Sequence, residues 1–166
     1  MAIVGTLSGA VVGAGATLLT DSIRARREKS QRFSDTQRQI YVKYLTAVVQ
    51  TDTAVQALAL RGPTPLSRED ATAAFRSHAL VAALHELELV ASKAVREDGQ
   101  AVYGKLRDIR EALTTATMVV GRSPAGSAEW HAVHQPFLDA LERLRNTMRR
   151  DLNPGENTTD DTPSGS

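Results

Sequence analysis

Histidine is the residue type in this chain whose spacing suggests chemistry at neutral pH. His131 and His134 are three residues apart, a spacing that places two imidazoles on one side of a helix, and His78 and His85 are two helical turns apart. Either pair needs a further ligand from another helix to hold a metal. A histidine beside an apolar helix stripe is usually a partly buried structural residue, so we predict no metal site.

Other catalytic classes lack their signatures. The 166 residues include no cysteine, which excludes disulfides, thiolate nucleophiles and cysteine-ligated zinc. There is no HExxH, repeated ExxH or phosphate-binding Walker loop, and an aromatic content of 4% disfavours a base-stacking platform. The sequence therefore predicts no enzyme, no catalytic residue and no cofactor.

The N-terminal segment, AIVGTLSGAVVGAGATLLT over residues 2–20, carries no charge. As a helix it would be about 28 Å long, close to the ~30 Å thickness of bilayer hydrocarbon. A signal peptide is disfavoured because no Lys or Arg precedes Arg24, and a dinucleotide loop is disfavoured because Leu18 stands where the third glycine belongs. A transmembrane helix and a buried soluble helix remain.

The flanking charge favours the transmembrane helix, because basic residues follow the segment and none precedes it. This predicts a single-pass cell-membrane protein with its N-terminus outside and everything after residue 21 in the cytoplasm. Gly5, Gly9 and Gly13 recur every four residues and would form a small-residue helix face that lets two spans approach closely. We therefore predict a homo-oligomer paired through these glycines.

Residues 21–39 are predicted to form a basic juxtamembrane helix. The run continues to Lys43, and residues 21–45 have a net charge of +4 although the whole chain has only +1. Three interpretations fit: binding of anionic lipid headgroups, binding of nucleic acid, or a solvated helix face with internal ion pairs. The position after an apolar segment favours headgroups over nucleic acid, and the predicted membrane-surface residues are Arg24, Arg26, Arg27, Lys29 and Arg32.

The remaining chain predicts a cytoplasmic antiparallel bundle of three or four helices over residues 40–152, followed by a disordered tail at 153–166. Ser67 should cap a helix that runs to about Glu97, with a turn or kink at residues 97–100, and Ser127 should cap the last helix. Apolar residues recur at helical spacing in each segment. They are Phe33, Ile40, Tyr44, Val48, Val55 and Leu58; Phe75, Leu80, Leu84, Leu87 and Val90; Val102, Leu106, Ile109, Leu113, Ala116 and Val120; and Trp130, Phe137, Leu141, Leu144 and Met148, with His134 on the face of the last set.

The segment RARREKSQRFSDTQRQIYVKYLTAVV, together with the preceding Gly/Ala-rich stretch, resembles a group of small uncharacterised single-pass membrane proteins of actinobacteria. The likeness covers residues 2–50. It implies a membrane topology and a bacterial source, and it adds no activity or site.

These observations predict an all-α protein in which a transmembrane helix continues into a cytoplasmic helical interaction module with a protein partner of unknown identity. An alternative is a small oligomerising membrane protein that forms a pore or anchors a larger machine, of phage or secretion-related origin. A third is a soluble helical enzyme or metal-binding protein.

Overall fold

The computed structural model describes residues 8–61, 66–115 and 127–153, and in these segments it contains helices and no strand. The helices are α1 (Ser8–Arg61), α2 (Arg68–Arg76), α3 (Leu80–Val90), α4 (Lys93–Thr114) and α5 (Ala128–Leu152). The predicted all-α class is confirmed. Gly5, most of the predicted loop before Ser127, and residues 154–166 of the predicted tail lie outside the described residues.

The chain divides into two compact units, residues 1–37 and 38–166. In the first unit the described residues belong to α1 from Ser8 to Gln37. The second unit contains the rest of α1 and the four other helices, and it holds the hydrophobic core.

The second unit is an antiparallel bundle. Asp52 of α1 meets His134 of α5, while Tyr41, eleven residues earlier on α1, bonds to Asp151, later on α5, so the two helices run in opposite directions. Asp98 near the start of α4 accepts a hydrogen bond of 2.7 Å from Thr147 near the end of α5, which makes this pair antiparallel as well.

Helices α2 and α3 together form the second arm of the bundle. The amide of Leu66, just before α2, donates to Leu113 O at the end of α4 (2.9 Å). Glu86 of α3 pairs with Lys43 (2.6 Å), which lies near the start of the part of α1 that belongs to the second unit. The described part of the second unit is therefore an up-down-up-down four-helix bundle, in which two shorter helices, α2 and α3, take the place of the second helix.

The apolar stripes predicted from helical spacing form the core. Among their described members only Phe33, Ile40, Leu58, Val90 and His134 are not buried, and Phe33 is 57% exposed. Ala116 and Val120 lie outside the described residues. The predicted core residues that are buried are Tyr44, Val48, Val55, Phe75, Leu80, Leu84, Leu87, Val102, Leu106, Ile109, Leu113, Trp130, Phe137, Leu141, Leu144 and Met148.

The prediction of one helix from Ser67 to about Glu97 is wrong. The helix stops at Arg76, because the Ser77 hydroxyl donates to Ala74 O (2.7 Å) and Ala79 takes a left-handed backbone conformation with φ 51°. A second break follows at Ala91 and Ser92, where Ser92 caps α4. The chain forms no turn at residues 97–100 in this described segment, since α4 is one helix from Lys93 to Thr114.

Both predicted caps are confirmed. The Ser67 hydroxyl accepts from the amide of Asp70 and the Ser127 hydroxyl accepts from the amide of Trp130, each at 3.0 Å. Each bond satisfies one of the amides that a helix N-terminus leaves without an intrahelical partner.

Candidate functional site

The predicted helix-pairing and membrane-surface residues lie on α1, apart from Gly5. Gly9 and Gly13 are one helical turn apart, so they share a face of the helix. Arg24, Arg26, Arg27, Lys29 and Arg32 follow them on the same helix, and Arg32 is exposed.

The described part of the chain contains no helix with both the length and the apolar character that a bilayer crossing requires. Residues 8–20 of the predicted span belong to this described part, and residues 2–7 lie outside it.

The structure separates the histidine pairs suggested by spacing. His78 lies in the turn at residues 77–79 and His85 is an exposed residue of α3, so they do not share one helix. His131 is exposed on α5, whereas His134 is partly buried and turned toward α1. Within the described segments, no group of three or more His, Asp or Glu side chains is arranged to hold a metal.

His134 forms a polar cluster with Asp52 and Gln56 at the α1–α5 contact. Its Nε2 lies 3.1 Å from Asp52 Oδ1, and the Gln56 amide donates to Asp52 Oδ2 at 2.7 Å. Gln56 Nε2 is also 3.3 Å from His134 Nε2. A single ring nitrogen cannot donate to Asp52 and accept from Gln56 at once. The consistent assignment is a proton on His134 Nε2, with both groups donating to the carboxylate.

Aromatic rings enclose this cluster. The indole of Trp130 stacks on the His134 ring with centroids 4.8 Å apart, and the Phe137 ring lies 5.6 Å away on the next turn. Burial raises the pKa of the Asp52 carboxyl, and the opposing effects of His134 and Gln56 only partly offset it. The polar atoms of the cluster join α1 to α5.

Sequence reasoning did not identify Asp52 or Gln56. Asp52 follows the buried Val48 by four residues and precedes the buried Val55 by three, which places a carboxylate at the edge of the core stripe. A carboxylate at the edge of an apolar stripe indicates that it makes a polar contact within the bundle. The identity of its partner, eighty-two residues away, is not a local property.

A second feature is a cleft of about 330 Å³ between α2, the first turn of α3, and α4, which we call the arginine cleft. Its lining includes Phe75 and Tyr103, two arginines (Arg76 and Arg110) and the strained Ala79. An adjoining hollow of about 320 Å³ shares Arg110 and Thr72 with it and adds Arg68, Glu111 and Thr114. The cleft lies at the break between α2 and α3. Because the sequence predicted one continuous helix there, it did not predict the cleft.

Comparison with known proteins gives no relative: no protein-family model, no curated protein and no solved structure matches the chain.

Proposed function

We propose that the protein is a membrane-anchored, self-associating helical interaction module that catalyses no reaction of its own. Residues 2–20 would anchor it with the N-terminus outside, and the bundle would lie in the cytoplasm and bind a protein partner. The single observation that carries the proposal is the composition of α1. This one helix contains, in chain order, Gly9 and Gly13, the basic run and the apolar stripe of the bundle.

The basic run would bind the membrane surface. A Lys or Arg near an anionic leaflet contributes about 1 kcal/mol of attraction. Arg24, Arg26, Arg27, Lys29 and Arg32 fall within nine residues of α1, immediately after the apolar segment. Five such charges would hold the start of the cytoplasmic domain close to the headgroups.

Self-association has two supports on α1. Gly9 and Gly13 offer a small-residue face of the kind that pairs helices in lipid. In the bundle, Val42 and Val49 are seven residues apart and are 59% and 43% exposed. That spacing repeats one position of a coiled-coil heptad, so a second copy of α1 could cover both side chains.

Membrane association is tested by carbonate extraction of cell membranes and by flotation of the purified full-length chain with vesicles. We expect the protein to stay with membranes after extraction, and to float better with vesicles containing 30% anionic lipid than with neutral ones. The triple variant R24Q/R26Q/R27Q should lose the lipid preference, whereas R107Q/R143Q/R145Q, which removes three exposed bundle arginines, should keep it. Complete release by carbonate would overturn the anchor.

Pairing through the glycine face is tested by sedimentation in detergent. Gly9→Leu with Gly13→Leu should shift the protein toward monomer, because bulky side chains prevent close approach of the backbones. Val11→Leu, a substitution at a sequence position between the two glycines and off their four-residue repeat, is the matched control. An unchanged oligomer in the double glycine variant would contradict pairing through this face.

The bundle contribution is tested separately with V42E/V49E, for which L89E is the control because Leu89 is 85% exposed on α3. The α1 variant should weaken association and the α3 variant should not. Leakage of dye from vesicles carrying the wild-type protein would favour the pore alternative over the interaction module.

A further inference from the structure

We propose that the arginine cleft binds a small organic anion, with an oxyanion head such as a carboxylate, sulfonate or phosphate ester and a flat apolar body. The inference is independent of the membrane proposal, because every residue it uses belongs to α2, α3, α4 or the turn between α2 and α3.

The size and lining of the cleft suit such a ligand. At about 330 Å³ it lies at the lower end of the range for small-molecule sites, which is roughly 300–1,000 Å³. Its walls are mainly apolar and aromatic, and its charged groups are Arg76 and Arg110. Such sites combine an apolar surface with a few polar groups that orient the ligand.

The aromatic wall is preorganised. The rings of Phe75 and Tyr103 meet edge to face, with centroids 6.4 Å apart and planes inclined by 69°. Phe75 is 5% exposed and therefore fixed by the core. Tyr103 is half-buried and forms the accessible part of the wall, so a flat ligand can stack on the Tyr103 ring, which its contact with Phe75 helps to hold in place.

Arg110 is held in place by the same wall. Its guanidinium carbon lies 5.1 Å from the centroid of the Phe75 ring, a cation–π contact. A phenyl ring accepts no conventional hydrogen bond, so the contact leaves guanidinium N–H groups available, and their fork geometry matches a carboxylate or phosphate. Arg110 can therefore bind an oxyanion without losing its contact with Phe75.

The charge of the cleft is unbalanced. No Asp or Glu is among its lining residues, and neither Arg76 nor Arg110 forms an ion pair with a carboxylate in the described segments. The adjoining hollow, which shares Arg110 with the cleft, contains one acidic lining residue, Glu111, and a further cation, Arg68. An anion in the arginine cleft would thus meet two cations.

Backbone strain marks the same place. Ala79 has a φ of 51°, which alanine rarely adopts, and it lines the cleft. Its conformation separates α2 from α3 and turns Leu80 and Val81 into the cleft wall. Strained residues concentrate at binding and catalytic sites, where the surrounding structure maintains them.

The test is isothermal titration of the full-length protein with naphthalene-1-sulfonate, which has both parts of the proposed ligand, and with inorganic phosphate, which has only the head. We expect saturable one-to-one binding of the sulfonate, and binding of phosphate that is at least tenfold weaker. Arg110→Gln and Arg76→Gln should each weaken sulfonate binding about tenfold. The control R143Q/R145Q removes two exposed arginines of α5 and should leave it unchanged.

Arg76 is exposed, so its variant keeps the test valid even if Arg110→Gln impairs folding. Ala82→Trp gives a second approach: Ala82 is an exposed lining residue, and an indole there should block the cleft without changing the charge. Equal weakening by the α5 control, unchanged affinity in Arg76→Gln and Ala82→Trp, or no saturable binding of the sulfonate would overturn the proposal.

Discussion

The Tyr44 hydroxyl donates a 2.7 Å hydrogen bond to the carbonyl oxygen of Gly99, inside the bundle where α1 crosses α4. Tyr44 is fully buried, and burial raises the pKa of its phenol well above the ordinary value. The phenol is therefore neutral at neutral pH and acts as the donor of this bond. At Gly99 the core also brings Leu87 of α3 close to α4.

Removing this hydroxyl should destabilise the bundle. Tyr44→Phe keeps the ring in the core and deletes one buried hydrogen bond, for which we expect a loss of about 0.5–1.5 kcal/mol in the free energy of unfolding. Chemical denaturation followed by circular dichroism measures it. Wild-type stability in the variant would show that the bond contributes nothing net.

The two glycines of α4 should respond oppositely to alanine. A Cβ at Gly99 would lie 2.7 Å from Leu87 Cδ2, in a fully buried part of the core, whereas a Cβ at Gly104 would have nothing within 4 Å. Gly104→Ala should stabilise the protein by about 0.5–1 kcal/mol through helix propensity. Gly99→Ala should destabilise it by about 1 kcal/mol, because overpacking outweighs that gain. Equal effects in denaturation experiments would contradict the close packing at Gly99.

The Asp52 carboxyl should make stability depend on pH. Its pKa is raised in the folded state, mainly by burial, so the folded protein holds this proton more tightly than the unfolded chain. Its stabilising contribution is complete below the ordinary carboxyl pKa of about 3.9 and is lost as the pH rises through the raised value. The stability of the wild type relative to Asp52→Asn should therefore fall as the pH rises above about 4.

Denaturation of both proteins at several pH values checks this, with Asp139→Asn as the control for an exposed carboxylate on α5. A relative stability that rises with pH would mean that the interaction with His134 outweighs burial.

The strain at Ala79 predicts a stabilising glycine. Ala79→Gly should raise the free energy of unfolding by about 0.5–1 kcal/mol, since glycine adopts a φ of 51° without steric cost. The control is Ala82→Gly, an exposed position inside α3, which should cost about 1 kcal/mol. Thermal and chemical unfolding compare the two. If Ala79→Gly is as destabilising as Ala82→Gly, the left-handed conformation is not maintained in solution.

Much of the bundle was predictable because helical periodicity and capping are local. Val102, Leu106, Ile109 and Leu113 recur at steps of four and three, and a helix places such residues on one face wherever it packs. Ser67 and Ser127 cap because a hydroxyl reaches an amide three residues ahead. The all-α class and the core were therefore readable from residue types and spacing.

Only the tertiary structure decided where the second arm of the bundle breaks and which distant residues meet. Residues 77–79 carry neither Gly nor Pro, and their turn depends on the packing of α2 and α3 against α4. Asp52 contacts His134, and Arg110 contacts Phe75, because each helix packs in one particular position and is rotated about its axis in one particular way. Local spacing determines which face of a helix is apolar, whereas the partner across that face depends on how the whole chain packs.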